Sequence, residues 1–159
     1  MKLLVVSDTH LKGGIEQLPL QVKNLVKKVD FVIHSGDFVS KRLYNDLKDI
    51  VEIKAVRGNM DKGFLRKTLP QKRVFDIKDY KIGIIHGNQY NHLSLQNLSY
   101  EFPGCDLVIY GHTHRPCNKI VGKQIFFNPG SPTDKRLQEK YSYGIITLGA
   151  GIKREIIYF

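Results

Sequence analysis

The stretch Asp106-Leu107-Val108-Ile109-Tyr110-Gly111-His112-Thr113-His114 joins an apolar run to a pair of histidines. A short run of branched and aromatic residues bounded by glycine is typical of a buried strand, so the histidines are expected in the loop that follows it. Because side chains in extended backbone alternate, His112 and His114 are expected to project to one side and reach the same site. Taken by itself, the pair fits two ordinary loop histidines equally well.

Four other predicted strands end in the same kinds of residue. Apolar runs at 3–6, 31–33, 51–56 and 80–85 are each followed within a few residues by Asp, His or Asn. In open α/β sheets, ligands bind beyond the carboxyl ends of the strands, so these side chains are expected to converge in one crevice. The candidate site residues are Asp8, His10, Asp37, Asn59, His86, His112 and His114.

The order of the predicted elements indicates the fold class. Apolar residues at helical spacing in 15–29 separate the first two strands, and such a unit predicts parallel strands with a right-handed crossover. Ser40 is expected to cap a second helix. Later elements are a hairpin at 73–85, a short helix near 95–102, and antiparallel strands at 119–121, 124–127, 143–148 and 153–158. We expect an α/β fold of two packed mixed sheets with helices outside, in one domain spanning residues 1–159.

Composition narrows the class of protein. The 159 residues carry a formal net charge of +10, which favours anionic partners such as phosphates or nucleic acid. Cys105 and Cys117 lack the density of a secreted disulfide framework. No apolar run approaches the roughly 20 residues of a membrane-spanning helix, and Asp8 and His10 interrupt any signal-peptide core. We expect a cytoplasmic protein without membrane contact, and a homo-oligomer is left open.

The candidate residues form a donor set suited to metal ions. Two carboxylates, one amide and four imidazoles offer oxygen and nitrogen without thiolate, which suits Mn, Fe, Zn, Ni or Co. Such a set exceeds what one ion with open positions needs, whereas two ions sharing a carboxylate would use all of it. Asp37 is the expected bridge, because it is the only carboxylate alone on its loop. With a shared hydroxide, the net charge of about +1 would attract a phosphodiester anion.

Five motifs, in this order, resemble a known signature. Asp8-x-His10, Gly36-Asp37, Gly58-Asn59, His86-Gly87 and Gly111-His112-x-His114 are together similar to the full motif set of the calcineurin-like metallophosphoesterase superfamily. The short length, Ser7-Asp8-Thr9-His10 and Asn128-Pro129-Gly130-Ser131 resemble the small single-domain phosphodiesterases of the YfcE type. The resemblance covers essentially the whole chain. It implies a four-layer αββα sandwich, and it suggests that the Asn128–Ser131 turn borders the site.

The resemblance also implies a role for each candidate residue. Two divalent ions are expected, with manganese as the first choice and nickel, zinc, iron, cobalt or magnesium as alternatives. A hydroxide between the ions would attack the phosphorus of a small phosphodiester or nucleotide. The first ion would be held by Asp8, His10 and His114, the second by Asn59, His86 and His112, and both by Asp37. The residues nearest the chemistry would be Asp37, Asn59, His86 and His112.

One position departs from the family pattern. Many members follow the metal-binding Asn with a His that serves the leaving group, but this chain has Met60, whose thioether cannot donate a proton. We interpret Asp61 as a turn or cap carboxylate, with orientation of a water or a ligand as the alternative. His34 is interpreted as a structural histidine rather than a residue that orients a ligand. His92 is interpreted as a surface histidine rather than a substitute proton donor.

Two further functions compete with a small-molecule phosphodiesterase. A nuclease is favoured by the positive charge and disfavoured by the lack of an aromatic stacking platform. A non-catalytic scaffold is possible because the retromer subunit of the same group resembles these phosphodiesterases yet serves in protein assembly. Basic residues a few positions beyond the predicted ligands either rim the site or are ordinary surface charges; they are Lys12, Lys41, Arg42, Lys62, Arg115, Lys135 and Arg136.

Overall fold

Ten strands form two mixed five-stranded sheets in the computed structural model, which describes residues 1–159. The strands are β1 (Lys2–Val6), β2 (Phe31–His34), β3 (Glu52–Ala55), β4 (Lys72–Ile77), β5 (Tyr80–Ile85), β6 (Leu107–Ile109), β7 (Cys117–Val121), β8 (Gln124–Asn128), β9 (Ser142–Leu148) and β10 (Ile152–Tyr158). The helices are α1 (Leu20–Val26), α2 (Lys41–Ile50), α3 (Gly63–Thr68) and α4 (Leu95–Glu101). None of these helices combines the length and the apolar character that crossing a membrane requires.

The two sheets have different strand orders. In the first sheet the order is β10-β9-β1-β2-β3, with β1, β2 and β3 parallel and β9 antiparallel to both of its neighbours. In the second sheet the order is β4-β5-β6-β8-β7, with β5, β6 and β8 parallel and the two edge strands antiparallel. The expected parallel β1–β2 pair and the β4–β5 hairpin are present. The expectation for β8 was incomplete, because it pairs antiparallel with β7 and parallel with β6.

Alternation along β1 sets the layers. Leu3 and Val5 face the core between the two sheets, whereas Leu4 and Val6 face the helices on the other side. A strand that is buried on both faces reads as a continuous apolar run, as residues 3–6 do. The helix α4 covers the outer face of the second sheet through Leu98. The resulting helix, sheet, sheet, helix order is the predicted four-layer αββα sandwich.

Two helical features differ from the prediction. The expected helix over 15–29 is divided into a 3₁₀ turn (Ile15–Gln17) and α1, which begins after Pro19. Proline has no N–H to donate and pushes the residue before it toward extended backbone; accordingly Leu18 has a ψ of 146°. The helix α3 was not predicted. It has six residues and only Leu65 is buried, so it carries no amphipathic period to detect.

Candidate metal centre

Five of the seven predicted site residues meet beyond the ends of β1, β2, β5 and β6. Oδ1 of Asp8 lies 3.3 Å from Nε2 of His114 and 3.8 Å from Nε2 of both His10 and His86. Oδ2 of Asp37 lies 3.3 Å from Nε2 of His86 and 3.6 Å from Nε2 of His10. Loops from both sheets therefore bring two carboxylates and three imidazoles into one cluster.

Four atoms in this cluster that could bind a metal ion are buried and have no hydrogen-bond partner. They are Oδ1 of Asp8 and the Nε2 atoms of His10, His86 and His114. Buried polar atoms are nearly always paired, so four unpaired atoms that converge need an explanation. A divalent cation supplies one, because neutral imidazole nitrogens and carboxylate oxygens are its usual ligands. The residues present therefore fit the metal ions that the sequence implied.

The ligand atoms form two compact groups of three. One group is Asp8, His10 and His114, and the other is Asp8, Asp37 and His86. Within each group the offered ligand atoms all lie within 4.8 Å of one another. The first group contains three of the four residues expected at the first ion, without the shared Asp37. The second group contains Asp8, which was expected at the first ion only.

The charges in the cluster reinforce one another. Burial raises the pKa of the Asp8 carboxyl, but close contact with His10 and His114 outweighs it and the net pKa is lowered. The pKa of Asp37 is also lowered, because contact with His86 outweighs burial. Burial lowers the pKa of His86 and of His114, yet the neighbouring carboxylates raise both above the ordinary value. Two ionised carboxylates thus favour positive charge at this point of the molecule.

The outer nitrogens of two histidines are fixed by backbone carbonyls. Nδ1 of His86 lies 2.8 Å from the carbonyl oxygen of Ser35, and Nδ1 of His114 contacts the carbonyl oxygen of Asp134. A proton on Nδ1 that bonds to such a carbonyl leaves Nε2 free as a ligand. Both rings are thereby oriented with Nε2 toward the carboxylates.

Backbone strain is concentrated at the predicted ligands. Asp8, His10, Asp37, His112 and His114 have φ angles of 53°, 47°, 59°, 66° and 56°. Positive φ is uncommon for residues other than glycine, and it persists only where surrounding contacts enforce it. The expectation that His112 and His114 project to one side assumed extended backbone and was wrong in its premise. His114 joins the group around Asp8, whereas the ring of His112 packs against that of His86, with the two ring centroids 5.2 Å apart.

Asn59 and His112 stand outside the close cluster. The side chain of Asn59 is exposed, although the next residue, Met60, donates its backbone N–H to Oδ1 of Asp37 at 2.7 Å. His112 is partly buried and donates its backbone N–H to Oδ2 of Asp8 at 2.9 Å. The loops that carry both residues therefore contact the cluster through their backbone. Direct ligation by the two side chains stays a prediction.

Asp61 connects two loops of the site, which a local turn carboxylate would not do. It is fully buried, and its two oxygens accept backbone N–H groups from Asp37 at 2.9 Å, Val39 at 2.8 Å and Gly58 at 2.8 Å. These bonds tie together the loops after β2 and β3, so Asp61 orients the residue that precedes Asn59 as well as Asp37 itself. The alternative that the sequence left open, orientation of a neighbouring ligand, describes this geometry. The interpretation as a local turn carboxylate misses the bonds to Asp37 and Val39.

The turn after β8 holds the loops of β1 and β6. Oγ of Ser131 donates to the carbonyl oxygen of Asp8 at 2.7 Å, and Oγ1 of Thr133 donates to that of Thr9 at 2.6 Å. Nδ2 of Asn128 donates to the carbonyl oxygen of Gly111 at 3.0 Å. The segment from Asn128 to Asp134 therefore borders the site and fixes two of its loops. Nothing in the local sequence pattern indicated the contribution of Thr133.

The remaining residues weighed from the sequence divide into three kinds. His34 is buried with both ring nitrogens in hydrogen-bonding contact, as a structural histidine would be. His92 is exposed in the loop before α4. Several of the basic residues bind elsewhere: Arg42 pairs with Glu16, Lys41 lies over the ring of Phe64, and Lys135 lies over that of Tyr141.

Comparisons with known proteins agree with this geometry. A model of the calcineurin-like phosphoesterase superfamily domain matches residues 1–151. A probable metallophosphoesterase from Methanothermobacter thermautotrophicus is 33% identical over 170 residues, which cover 98% of each chain. The structure of an archaeal phosphodiesterase superimposes with a TM-score of 0.74 at 26% identity and covers all of both chains.

A further solved structure shares the fold. Vps29 from Entamoeba histolytica, in complex with Zn²⁺, superimposes with a TM-score of 0.78 and covers 99% of each chain. Its identity to this chain is 24%, so the likeness concerns the architecture alone. The family match, the similar relative and the shared architecture lead to one conclusion. The chain belongs to the calcineurin-like phosphoesterase superfamily.

Proposed function

We propose that this chain hydrolyses phosphodiesters with two divalent metal ions. The observation that carries the proposal is the set of four buried donor atoms without partners, in Asp8, His10, His86 and His114. A structural cluster would pair such atoms with one another or with backbone groups. Membership of a phosphoesterase superfamily supports phosphate esters as the substrate class.

The proposed allocation of ligands keeps Asp37 as the shared residue. Asp8, His10 and His114 hold the first ion, while Asn59, His86 and His112 hold the second. Oδ2 of Asp37 lies between His10 of the first set and His86 of the second, at 3.6 and 3.3 Å, which supports this role. Oδ1 of Asp8, a member of the first set, is 3.8 Å from Nε2 of His86 in the second, so the Asp8 carboxylate also lies close to both sets.

The chain's own residues set the conditions for the reaction. When bound, two divalent ions lower the pKa of a coordinated water toward ~7 and offset the negative charge of a phosphate. Asp8 and Asp37 stay ionised at neutral pH in spite of their burial, because contacts with the histidines give each carboxyl a net lowering of its pKa. Met60 cannot protonate a leaving group, so diesters of acidic phenols or other stable leaving groups are expected to react fastest.

The first experiment measures ions and turnover together. Purified protein is loaded with Mn²⁺, Ni²⁺, Zn²⁺ or Mg²⁺, its metal content is determined, and hydrolysis of bis(p-nitrophenyl) phosphate is followed. We expect close to two ions per chain, with manganese giving the highest rate. Protein that binds ions but leaves the diester intact in every metal would contradict the proposal and favour a scaffold. Cleavage of single-stranded RNA in preference to the small diester would favour a nuclease.

The role of Asp37 is tested by a conservative substitution. Asp37→Asn removes the charge that contacts His10 and His86, so we expect kcat/KM to fall by about 100-fold or more and the metal content to drop. Asp49→Asn is the matched control, because Asp49 is exposed on α2 and makes no ion pair. Full activity in Asp37→Asn would contradict the assignment of a shared ligand, provided that circular dichroism shows the fold intact.

A further inference from the structure

A polar cleft of about 110 Å³ lies beside the metal cluster. Gly58 contributes to its wall, and none of its lining residues is hydrophobic. Two arginines and four side-chain amides form the rest of the lining: Arg57, Arg66, Asn59, Gln71, Asn88 and Gln89. We call this the Arg57–Arg66 cleft.

The first arginine is held in place by backbone groups. Nη1 of Arg57 donates to the carbonyl oxygens of Arg66 at 3.1 Å and Leu69 at 2.9 Å, which lie at the end of α3. The other guanidinium nitrogens of Arg57 have no protein partner. A guanidinium fixed in this way loses little freedom when it binds a ligand, so its remaining donors are pre-organised.

The charge in the cleft is not balanced by the protein. No acidic side chain lines it, and neither Arg57 nor Arg66 makes an ion pair. The guanidinium of Arg66 and the remaining nitrogens of Arg57 are therefore available to bind an anion. Planar guanidinium groups match the oxygens of phosphate in pairs, and the neighbouring amides add further donors.

Size and lining distinguish a phosphate from a base or a phenyl ring. Pockets for whole organic ligands usually have volumes of about 300–1,000 Å³ and apolar walls. The Arg57–Arg66 cleft is smaller, and it lacks an aromatic side chain on which a base could stack. A single tetrahedral anion suits both properties.

The cleft adjoins the proposed catalytic site through two residues. Asn59 belongs to the cleft and to the proposed ligands of the second ion, and Asn88 follows His86 by two positions. We infer that the Arg57–Arg66 cleft binds a second phosphate group of the substrate while the scissile phosphate lies at the metal cluster. The inference rests on the proposed function and narrows its substrates to phosphodiesters that carry a further terminal phosphate, such as esters of nucleoside bisphosphates; a free bisphosphate offers the same two phosphate groups as a ligand.

Calorimetry on metal-loaded protein tests the cleft without turnover of a diester. Adenosine 3′,5′-bisphosphate and adenosine 5′-monophosphate are titrated into wild type, Arg66→Gln and Lys67→Gln. Arg66 is exposed and its side chain has no protein partner, so its replacement should fold normally. Lys67→Gln is the matched control, because it removes one exposed positive charge from the same helix outside the cleft.

The expected result is a difference in preference. Wild type should bind the bisphosphate at least tenfold more tightly than the monophosphate, Arg66→Gln should lose most of that preference, and Lys67→Gln should keep it within about twofold. An equal affinity of wild type for the two nucleotides, or equal effects of the two substitutions, would overturn the inference. Failure of the chain to hydrolyse bis(p-nitrophenyl) phosphate would instead overturn the proposed function and leave this binding result standing.

Discussion

Gly58 and Gly111 precede predicted ligands because no side chain fits at either position. A Cβ at Gly58 would lie 2.0 Å from Oδ1 of Asp37, and one at Gly111 would lie 1.9 Å from Oγ of Ser7. Backbone must approach the carboxylates this closely for Met60 and His112 to donate their N–H groups to them. The Gly58-Asn59 and Gly111-His112 pairs are thus a packing requirement of the cluster as well as part of a motif.

Removal of the Asp61 carboxylate tests how the ligand loops are held. Asp61→Ala leaves two buried N–H groups, of Asp37 and Gly58, and the partly buried N–H of Val39 without their acceptor. Each unsatisfied buried group costs about 1–3 kcal/mol, and entry of water reduces the sum, so we expect a loss of about 3 kcal/mol. Urea denaturation measures the change. Asp49→Ala, on the exposed face of α2, should stay within about 0.5 kcal/mol of wild type; an equally small effect at Asp61 would contradict the role assigned to it.

The burial of His34 makes stability depend on pH. Burial lowers the pKa of His34 to about 3, from a usual value of 6.5. Below pH 6.5 His34 is protonated in the unfolded chain but stays neutral in the folded chain. The free energy of unfolding therefore decreases as the pH is lowered toward about 3. The slope approaches about 1.4 kcal/mol per pH unit.

Comparison with a variant isolates this effect from the other histidines. His34→Gln carries no titrating group, so the stability of wild type relative to the variant should shrink by about 1.4 kcal/mol between pH 7.5 and pH 5.5. Urea denaturation at the two pH values, in the same buffer and metal, provides the measurement. A difference between the proteins that is independent of pH would mean that His34 is protonated equally in both states.

The sequence predicted most of the side chains that meet in the cluster, but not the contacts that support them. Asp, His and Asn after strand ends are a chemical signal, and five of the seven predicted residues meet in the cluster. The positive φ angles and the bonds from Asp37 and Val39 to Asp61 depend on loops that are distant in sequence. No local pattern encodes such contacts, so an Asp61 in a Gly-rich stretch resembles an ordinary turn residue.

Local sequence signals predicted some helix boundaries correctly and others incorrectly. The cap of α2 was predicted, and Oγ of Ser40 accepts the N–H groups of Arg42 at 3.1 Å and Leu43 at 3.3 Å. The helix divides before α1 although the apolar spacing of 15–29 continues across Pro19 and indicates one continuous helix. Proline is the stronger constraint, since it acts on backbone geometry directly.

The two serine caps offer a comparison between helices. Ser40 is 6% exposed, whereas Ser94 at the start of α4 is exposed and accepts one N–H, from Asn97 at 3.1 Å. Loss of a cap costs about 0.5–2 kcal/mol, and water can replace the hydroxyl only at the exposed position. We expect Ser40→Ala to lower the free energy of unfolding by about 1.5 kcal/mol and Ser94→Ala by about 0.5 kcal/mol. Equal losses in thermal or urea denaturation would contradict the argument from burial.

At the scale of the whole molecule, the contact between the sheets keeps the site together. The cluster takes Asp8 and Asp37 from loops of the first sheet, and His86 and His114 from loops of the second. Relative displacement of the sheets would separate these four side chains even if each sheet stayed intact. The apolar layer between the sheets, which includes Val5 of β1 and Phe127 of β8, therefore supports the geometry of the candidate metal site as well as the stability of the fold.

Gly144 on β9 is the point where this contact can be tested. A Cβ there would lie 2.3 Å from Cε1 of Phe127, a fully buried ring of the other sheet, and 3.3 Å from Cβ of Val5. Overpacking of a filled core costs about 1–3 kcal/mol, so Gly144→Ala should destabilise the protein and lower its metal affinity as the sheets move apart. Gly149→Ala is the matched control, because a Cβ at Gly149 meets nothing within 4 Å and the lost freedom of the unfolded chain should stabilise it by about 0.4–1 kcal/mol. The change in the free energy of unfolding is therefore expected to have opposite signs for Gly144→Ala on β9 and Gly149→Ala just beyond its end. Replacement of Phe127 by Leu in the Gly144→Ala background should recover part of the lost stability. If Phe127→Leu instead destabilises the Gly144→Ala protein further, the strain does not lie between the sheets.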